Sequence, residues 1–268
     1  MNWRLWTRQI TAIATLELKR FLLARRWTGV YLVTLAPVLL MFLRFSFASS
    51  RFEPVGALTG VYANLFHFFE LRFAFFMGSA AVFTQLFRGD ILEKTLHFYL
   101  LVPARREVIA VGKYVAGVAF VSVLFVISTV GTHLLIYAPS SEFGTFFLEG
   151  PGLSHLLRYV AVALLAGIVY GALFMLVGLR FKNSGVVTVG LLAWESLSFA
   201  LPSTFQMFSV VHYFQGLLPV TVDRGPFAVL SEPVPSILGI PALLAATAAF
   251  LAASGWLVRS TQVTYSAD

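Results

Sequence analysis

Three ionisable side chains, Glu70, Arg72 and Glu195, stand inside stretches that are otherwise apolar. A charge at the depth of a bilayer costs about 2.5–3.5 kcal/mol on insertion scales, so each needs a partner or water. Groups of this kind mark ion paths, substrate paths or structural pairs. Glu70 and Arg72 are two residues apart and point to different faces of one helix, so each is expected to pair with another helix. Arg72 with Glu195 is one such pairing. A place in a substrate path or at a subunit contact is one role for the three. The other is a structural ion pair, or a position near enough to the surface for the side chain to snorkel.

Residues for catalysis are sparse. The chain has no Cys, which excludes disulfides, thiolate metal sites and cysteine nucleophiles. Its five His residues (His67, His97, His133, His155 and His212) are scattered. His67 and Glu70 lie one turn apart, but two ligands on one turn do not complete a metal site. Neither H-E-x-x-H nor G-x-S-x-G occurs. Nor does G-x-x-x-x-G-K-[ST]: Gly112-Lys113 lacks the upstream Gly and the following Ser or Thr, so ATP phosphates are not cradled by that route. The expectation is a chain that is not an enzyme and that binds no metal and no cofactor itself.

The elements that would position these charges are membrane helices. Hydrophobic residues make up 59% and charged residues 12%, against about 25% charged in a soluble domain; mean hydropathy is +0.85. Six runs have the length and apolarity of spans, at about Gly29–Phe47, Val61–Phe87, Val108–Tyr137, Leu156–Leu179, Val186–Leu201 (the shortest) and Ile237–Val258. Only helices satisfy every backbone group within one apolar segment, so the fold class is an all-α polytopic membrane protein. With the N-terminus cytoplasmic, fourteen of the nineteen Lys and Arg fall inside, four fall outside and Arg72 lies within a span. Both termini are therefore expected in the cytoplasm, with the chain in the inner cell membrane. The net charge of +7 reads as a topology signal facing an anionic leaflet, with no nucleic-acid partner expected.

Residues 1–28 lack the apolar core and small-residue cleavage site of a signal peptide. Trp3, Trp6, Ile10, Ile13, Ala14, Leu18, Phe21 and Leu22 recur at steps of three and four beside a stripe of Arg4, Arg8, Thr11, Thr15 and Lys19. That pattern predicts an amphipathic helix lying in the membrane interface. Outer loops are expected at Ser49–Gly60 and at the Gly- and Pro-rich Pro139–His155. The longest, 202–236, is apolar but broken by prolines, and suits short helices that dip into the outer leaflet without crossing. Gly78 to Ala81 and the Gly167/Gly171 pair permit close helix approach.

Eight of the chain's 31 charged side chains crowd into Arg88–Lys113, between the second and third spans. Ile91, Leu92, Leu96, Tyr99 and Leu100 are spaced as one apolar helical face, with Asp90, Glu93, Lys94 and His97 opposite. Pro103 ends that helix, and Ala104–Lys113 restarts as a basic helix carrying Arg105 and Arg106. A short amphipathic helix held between two membrane helices can carry force from a partner. The alternative is a solvated loop whose apolar residues lie on the membrane surface.

This stretch resembles the loop between the second and third helices of type-2 ABC exporter permeases, which runs acidic–x–Gly–Thr–Leu, then Leu, Pro, a basic pair and Gly-Lys. The matching residues are Glu93, Thr95, Leu96, Leu100 or Leu101, Pro103, Arg105, Arg106, Gly112 and Lys113; Lys94 stands where the family usually has Gly. The layout of nearly the whole chain is similar too: an interfacial elbow helix at 1–28, six spans in one permease domain (1–268), and a broken outer segment at 202–236. The resemblance implies that 88–107 is a coupling loop docked on a separate ATPase subunit, present in two copies and supplying ATP and Mg. It also implies a second copy of this chain, or a similar permease, and a secondary contact at Arg180–Ser184. The second and fifth spans would face the dimer axis, and 202–236 would gate the exit. A path lined by Phe and Leu favours a lipidic or amphipathic cargo. Two other classes stay open: a non-transporting membrane anchor for a cytoplasmic partner, and an ion-coupled carrier using Glu70, Arg72 and Glu195. The absence of an inverted repeat counts against the carrier.

Overall fold

The computed structural model describes residues 3–47, 54–92, 105–220 and 234–260. Every regular element among them is helical, as hydrocarbon requires of chain segments this apolar. Helix α1 (Trp3–Leu23) leads through a 3-10 turn, Arg25–Trp27, into α2 (Thr28–Phe47). The next span runs through three windings without a break: α3 (Val55–Asn64), a π-helical stretch (Leu65–Phe75) and α4 (Phe76–Leu92). Then come α5 (Arg106–Tyr137), the short α6 (Phe143–Leu148) and α7 (Gly152–Arg180). Helix α8 (Ser184–Leu197) ends in a 3-10 turn, Ser198–Ala200, followed by α9 (Ser203–Gln206), α10 (Val210–Gln215) and α11 (Ser236–Ser260).

Among the described residues, five helices are long and apolar enough to cross a membrane: Arg25–Phe47, Val55–Gly89, Arg106–Tyr137, Gly152–Arg180 and Ser236–Arg259. The helix at the expected fifth span, Ser184–Ala200, has at most 17 residues. At about 1.5 Å per residue it measures about 25 Å, short of about 30 Å of hydrocarbon.

Two expected loops are partly helix. Helix α3 starts at Val55, inside the expected Ser49–Gly60 loop, because Pro54 presets its own φ and its carbonyl accepts from Ala57 and Leu58 N–H. Leu58 and Tyr62 are then fully buried. Within the expected irregular loop Pro139–His155, Phe146 of α6 packs its ring 4.7 Å from that of Tyr137. Helix α7 already begins at Gly152, with Pro151 at its N-cap.

Helices α5 and α7 form the centre. Helices α1, α2 and α7 pack along α5, and α7 in turn carries α4 and α11. Glycines set these distances. The Phe83 ring of α4 slots between Gly117 of α5 and Gly171 of α7, where a Cβ would stand 2.7 and 2.6 Å from it. Gly178 lies against the α4 backbone, with Thr84 Cα 2.7 Å from where a Cβ would be. The small residues visible in the sequence thus serve contacts within this chain.

Helix α1 packs part of its apolar stripe along α5, while Trp3 and Leu22 of the same stripe are exposed. The Phe21 ring stacks on Phe120 at 5.0 Å. Gly112 lets Ile13 approach so closely that a Cβ there would meet it at 2.9 Å. The Arg105 guanidinium lies 5.2 Å from the Trp6 ring centre. Helix α8, by contrast, touches the bundle lightly, at α7, α4 and the π stretch. Its Val186, Val189 and Leu197 are exposed.

Candidate functional site: the buried charges of the bundle

The first cluster lies where α4 ends and α5 begins. Lys113, fully buried on α5, donates from Nζ to Glu17 Oε1 of α1 at 2.5 Å and to the Leu86 carbonyl of α4 at 3.0 Å. Its ammonium also lies 5.5 Å from the Phe87 ring centre. Glu17 is buried as well, and Arg20 reaches its other oxygen at 3.8 Å. A buried charge without a partner is costly, so the three helices are fastened where Lys113 and Glu17 meet. More exposed contacts surround this joint. Arg88 donates to the Phe181 carbonyl just beyond α7 at 3.4 Å. Arg106 donates to the Arg259 carbonyl of α11 at 3.2 Å, and Arg259 pairs with Glu107.

Of the expected docking residues, Arg105 and Arg106 open α5. The side chains of Ile91 and Leu92, and the whole of Glu93, Thr95, Leu96, Tyr99, Leu100 and Pro103, lie outside the described residues. So does residue range 221–233 of the expected outer segment.

The π stretch carries the two intramembrane charges of the second span to different neighbours. Glu70 is fully buried and accepts from Thr132 Oγ1 at 2.5 Å and Thr129 Oγ1 at 3.4 Å, both on α5. Tyr62 donates to the Thr129 carbonyl at 3.3 Å. Its ring meets those of His133 and Tyr159 edge-on at 4.6 and 4.8 Å. His67, a turn earlier, faces α10, with Nε2 3.2 Å from Gln215 Nε2.

Arg72 turns to α8. Its Nη1 donates to the main-chain carbonyls of Glu195 and Ser196 at 3.2 and 3.3 Å. A cation at a helix C-terminus meets the negative end of the helix dipole. The expected pairing of Arg72 with Glu195 is therefore made through the Glu195 carbonyl. The Glu195 carboxylate instead caps α10. Oε2 accepts from Ser209 Oγ at 2.6 Å and from Val211 N–H at 3.3 Å, while Oε1 accepts from Val210 N–H at 2.9 Å. Unpaired amides at a helix start are strong donors to an anion, which explains a buried Glu here. One residue thus joins the end of α8 to the start of α10.

Beside Arg72 a cavity of about 340 Å³ opens between the π stretch and α8. Phe68, Phe69, Phe73 and Phe199 wall it, with Leu192 and Ser196 on the α8 side. The guanidinium carbon lies 5.4 and 5.6 Å from the Phe68 and Phe199 ring centres.

Sequence reasoning singled out Glu70, Arg72 and Glu195 but not Glu17, Thr129 or Thr132. Thr129 and Thr132 put two hydroxyls one turn apart on an apolar span, a signal that was there to be read. Glu17 interrupts an otherwise regular apolar stripe, which is the mark of a buried partner. Among the described residues no group of three His, Cys, Asp or Glu is placed to hold a metal. No family model matches the chain, and no curated protein matches it.

Proposed function

We propose that this chain is the membrane subunit of an ATP-driven exporter, worked by a separate ATPase that grips the loop between α4 and α5. In this reading six helices cross the inner cell membrane, α8 included, and both termini are cytoplasmic. Two copies of the chain, or this one and a similar permease, pair with two ATPase subunits that hold ATP and Mg. Closure of the ATPase dimer moves the coupling helix around Ile91–Leu101. The second and fifth spans shift, and the segment 202–236 opens the exit for a lipidic or amphipathic cargo.

The observation that supports this most is the joint at Lys113. A loop that receives force needs ends that pass it on. Here the last turns of α4 and the first turns of α5 are tied to each other and to α1 through one buried ammonium. Arg88 and Arg106 add contacts to the ends of α7 and α11. A push on the loop would move several helices together. A solvated surface loop has no need of such anchorage.

The test is purification from the native host in mild detergent, with an ATPase assay of the eluate. The expected result is a co-eluting P-loop protein that hydrolyses ATP and is lost from the Leu96→Asp/Leu100→Asp variant. An eluate without ATPase under several detergents would sink the reading. The buried Glu70 with its two threonine donors favours an ion-coupled carrier as the second reading. That carrier would transport in vesicles energised by an ion gradient alone.

A further inference from the structure

We infer that Glu70 is a proton-binding site: its carboxyl takes up one proton at Oε1 and hands the hydrogen bond on through Thr132 to the main chain of α5. Two observations carry this. The carboxyl is fully buried, and among the described residues its hydrogen-bond partners are two hydroxyls, with no ammonium or guanidinium bonded to it. A carboxylate taken out of water without a paired cation is far costlier than a neutral acid, and such a group escapes that cost by binding a proton. The second observation is a count of protons. The Thr132 hydroxyl owns one. Its Oγ1 stands 2.5 Å from Glu70 Oε1, 2.8 Å from the Ser128 carbonyl and 3.1 Å from the Thr129 carbonyl. With the carboxyl ionised, that proton goes to Oε1 and the Ser128 contact has none. With Oε1 protonated, Oε1–H donates to Thr132 Oγ1, Thr132 donates to the Ser128 carbonyl, and Thr129 Oγ1 donates to Oε2 at 3.4 Å. Only the acid gives each of these three bonds its own proton.

The surroundings can move a proton without supplying a counter-charge. Tyr62 of α3 and Tyr159 of α7 stand close enough for the charge of Glu70 to bear on them, and His133 and Tyr137 of α5 lie against Tyr62. On its own stretch His67 turns to α10 and Arg72 to α8. Glu195 of α8 and Tyr170 of α7 lie on the Arg72 side. The ionisable groups described on α2, α4 and α10 (Tyr31, Arg44, Arg88, His212 and Tyr213) make no hydrogen bond to the carboxyl. The Tyr159 hydroxyl, on a residue 1% exposed, has no hydrogen-bond partner among the described residues. An unmet hydroxyl near a carboxyl gives an entering water a second bond. That water is the acceptor when Oε1–H breaks, and Thr132 then turns its own proton back onto Oε1. Loss of the proton leaves a bare charge between the π stretch and α5, so the two must part or admit water. Proton binding therefore sets how firmly the second span holds the third. That a push on the loop between α4 and α5 releases this proton rests on the exporter reading; the site itself does not.

The test uses the full-length chain alone, in a neutral detergent, so it is independent of any ATPase. Infrared spectroscopy at neutral pH would look for the C=O stretch of a protonated carboxyl. Ordinary Asp and Glu titrate near about 4 and are silent in that region at neutral pH. A band is expected from the wild type, lost in Glu70→Gln and kept in Glu195→Gln, whose parent carboxylate is fixed by the amides of α10. Should Glu70→Gln fail to fold, Thr132→Val answers the same question. It removes the acceptor of Oε1–H, so the band should move to higher wavenumber. No band from the wild type, a band that survives Glu70→Gln, or a band that Thr132→Val leaves in place overturns the site. Sodium chloride against choline chloride separates the rival occupant, a metal cation held by the same oxygens. A band unchanged by sodium is expected; a band that sodium abolishes would make Glu70 a metal-cation site and overturn the assignment.

Discussion

Lys113 and Arg72 are both buried cations on apolar helices, and their surroundings differ. Lys113 meets a carboxylate and a carbonyl from two other helices, and its ammonium is fully enclosed. Arg72 donates to two main-chain oxygens of α8, lies between aromatic rings and borders an open cavity. The first arrangement is a joint, in which charge is matched by charge and geometry is fixed. The second keeps a cation oriented while leaving space beside it. Side-chain choice fits this division. Lysine is a compact point charge, suited to being wrapped by a carboxylate and a carbonyl. Arginine is a planar fork that can serve two directions at once.

The largest effect should come from breaking the joint. Glu17→Ala leaves the Lys113 ammonium buried without its carboxylate and should cost about 3–5 kcal/mol. The Glu17→Leu/Lys113→Met pair removes both charges and should stay within about 1–2 kcal/mol of wild type, by thermal unfolding in detergent. A single variant as stable as wild type would erase the contrast between the two cations. A middle-sized effect is expected at the other end of the comparison. Glu195→Gln keeps the carbonyl that Arg72 uses but weakens the cap on α10 by about 1 kcal/mol, so amide exchange at Val210 and Val211 should quicken about fivefold. If exchange instead changes across the whole of α8, the two halves of the Glu195 residue act as one unit. The smallest effect belongs to Arg259→Ala. Its side chain is 66% exposed, so loss of the Glu107 pair should cost under about 1 kcal/mol and fade in high salt. A larger loss would mean that the joint extends to α11.

How much of this could be read from the sequence depends on separation along the chain. Long apolar runs announce their helices directly, because a membrane leaves few alternatives. Glu70, Arg72 and Glu195 stand out for the same reason. Their partners do not, since a hydrogen bond from Arg72 to a carbonyl 123 residues away leaves no periodic trace. Glu17 stands out as a charge in an apolar stripe, but Lys113, 96 residues away, looks like an ordinary member of a basic stretch, so nothing in the sequence joins the two. Their pairing turns the stripe of α1 toward α5. The π winding of Leu65–Phe75 was also invisible, because its apolar composition reads the same at either pitch. Helix α8 is the converse case: its apolarity was plain, but its length and light packing follow from the turn at Asn183 and the break at Pro202.

Docking of a separate ATPase on the Arg88–Lys113 stretch is tested most directly by contact in the intact cell. A photo-reactive benzoylphenylalanine would be placed in turn at positions 95, 96, 99 and 100 and irradiated in native membranes. A covalent adduct to a P-loop ATPase is expected from at least the Leu96 and Leu100 positions, absent without light. Adducts to lipid alone, or to this chain alone, from all four positions would contradict it.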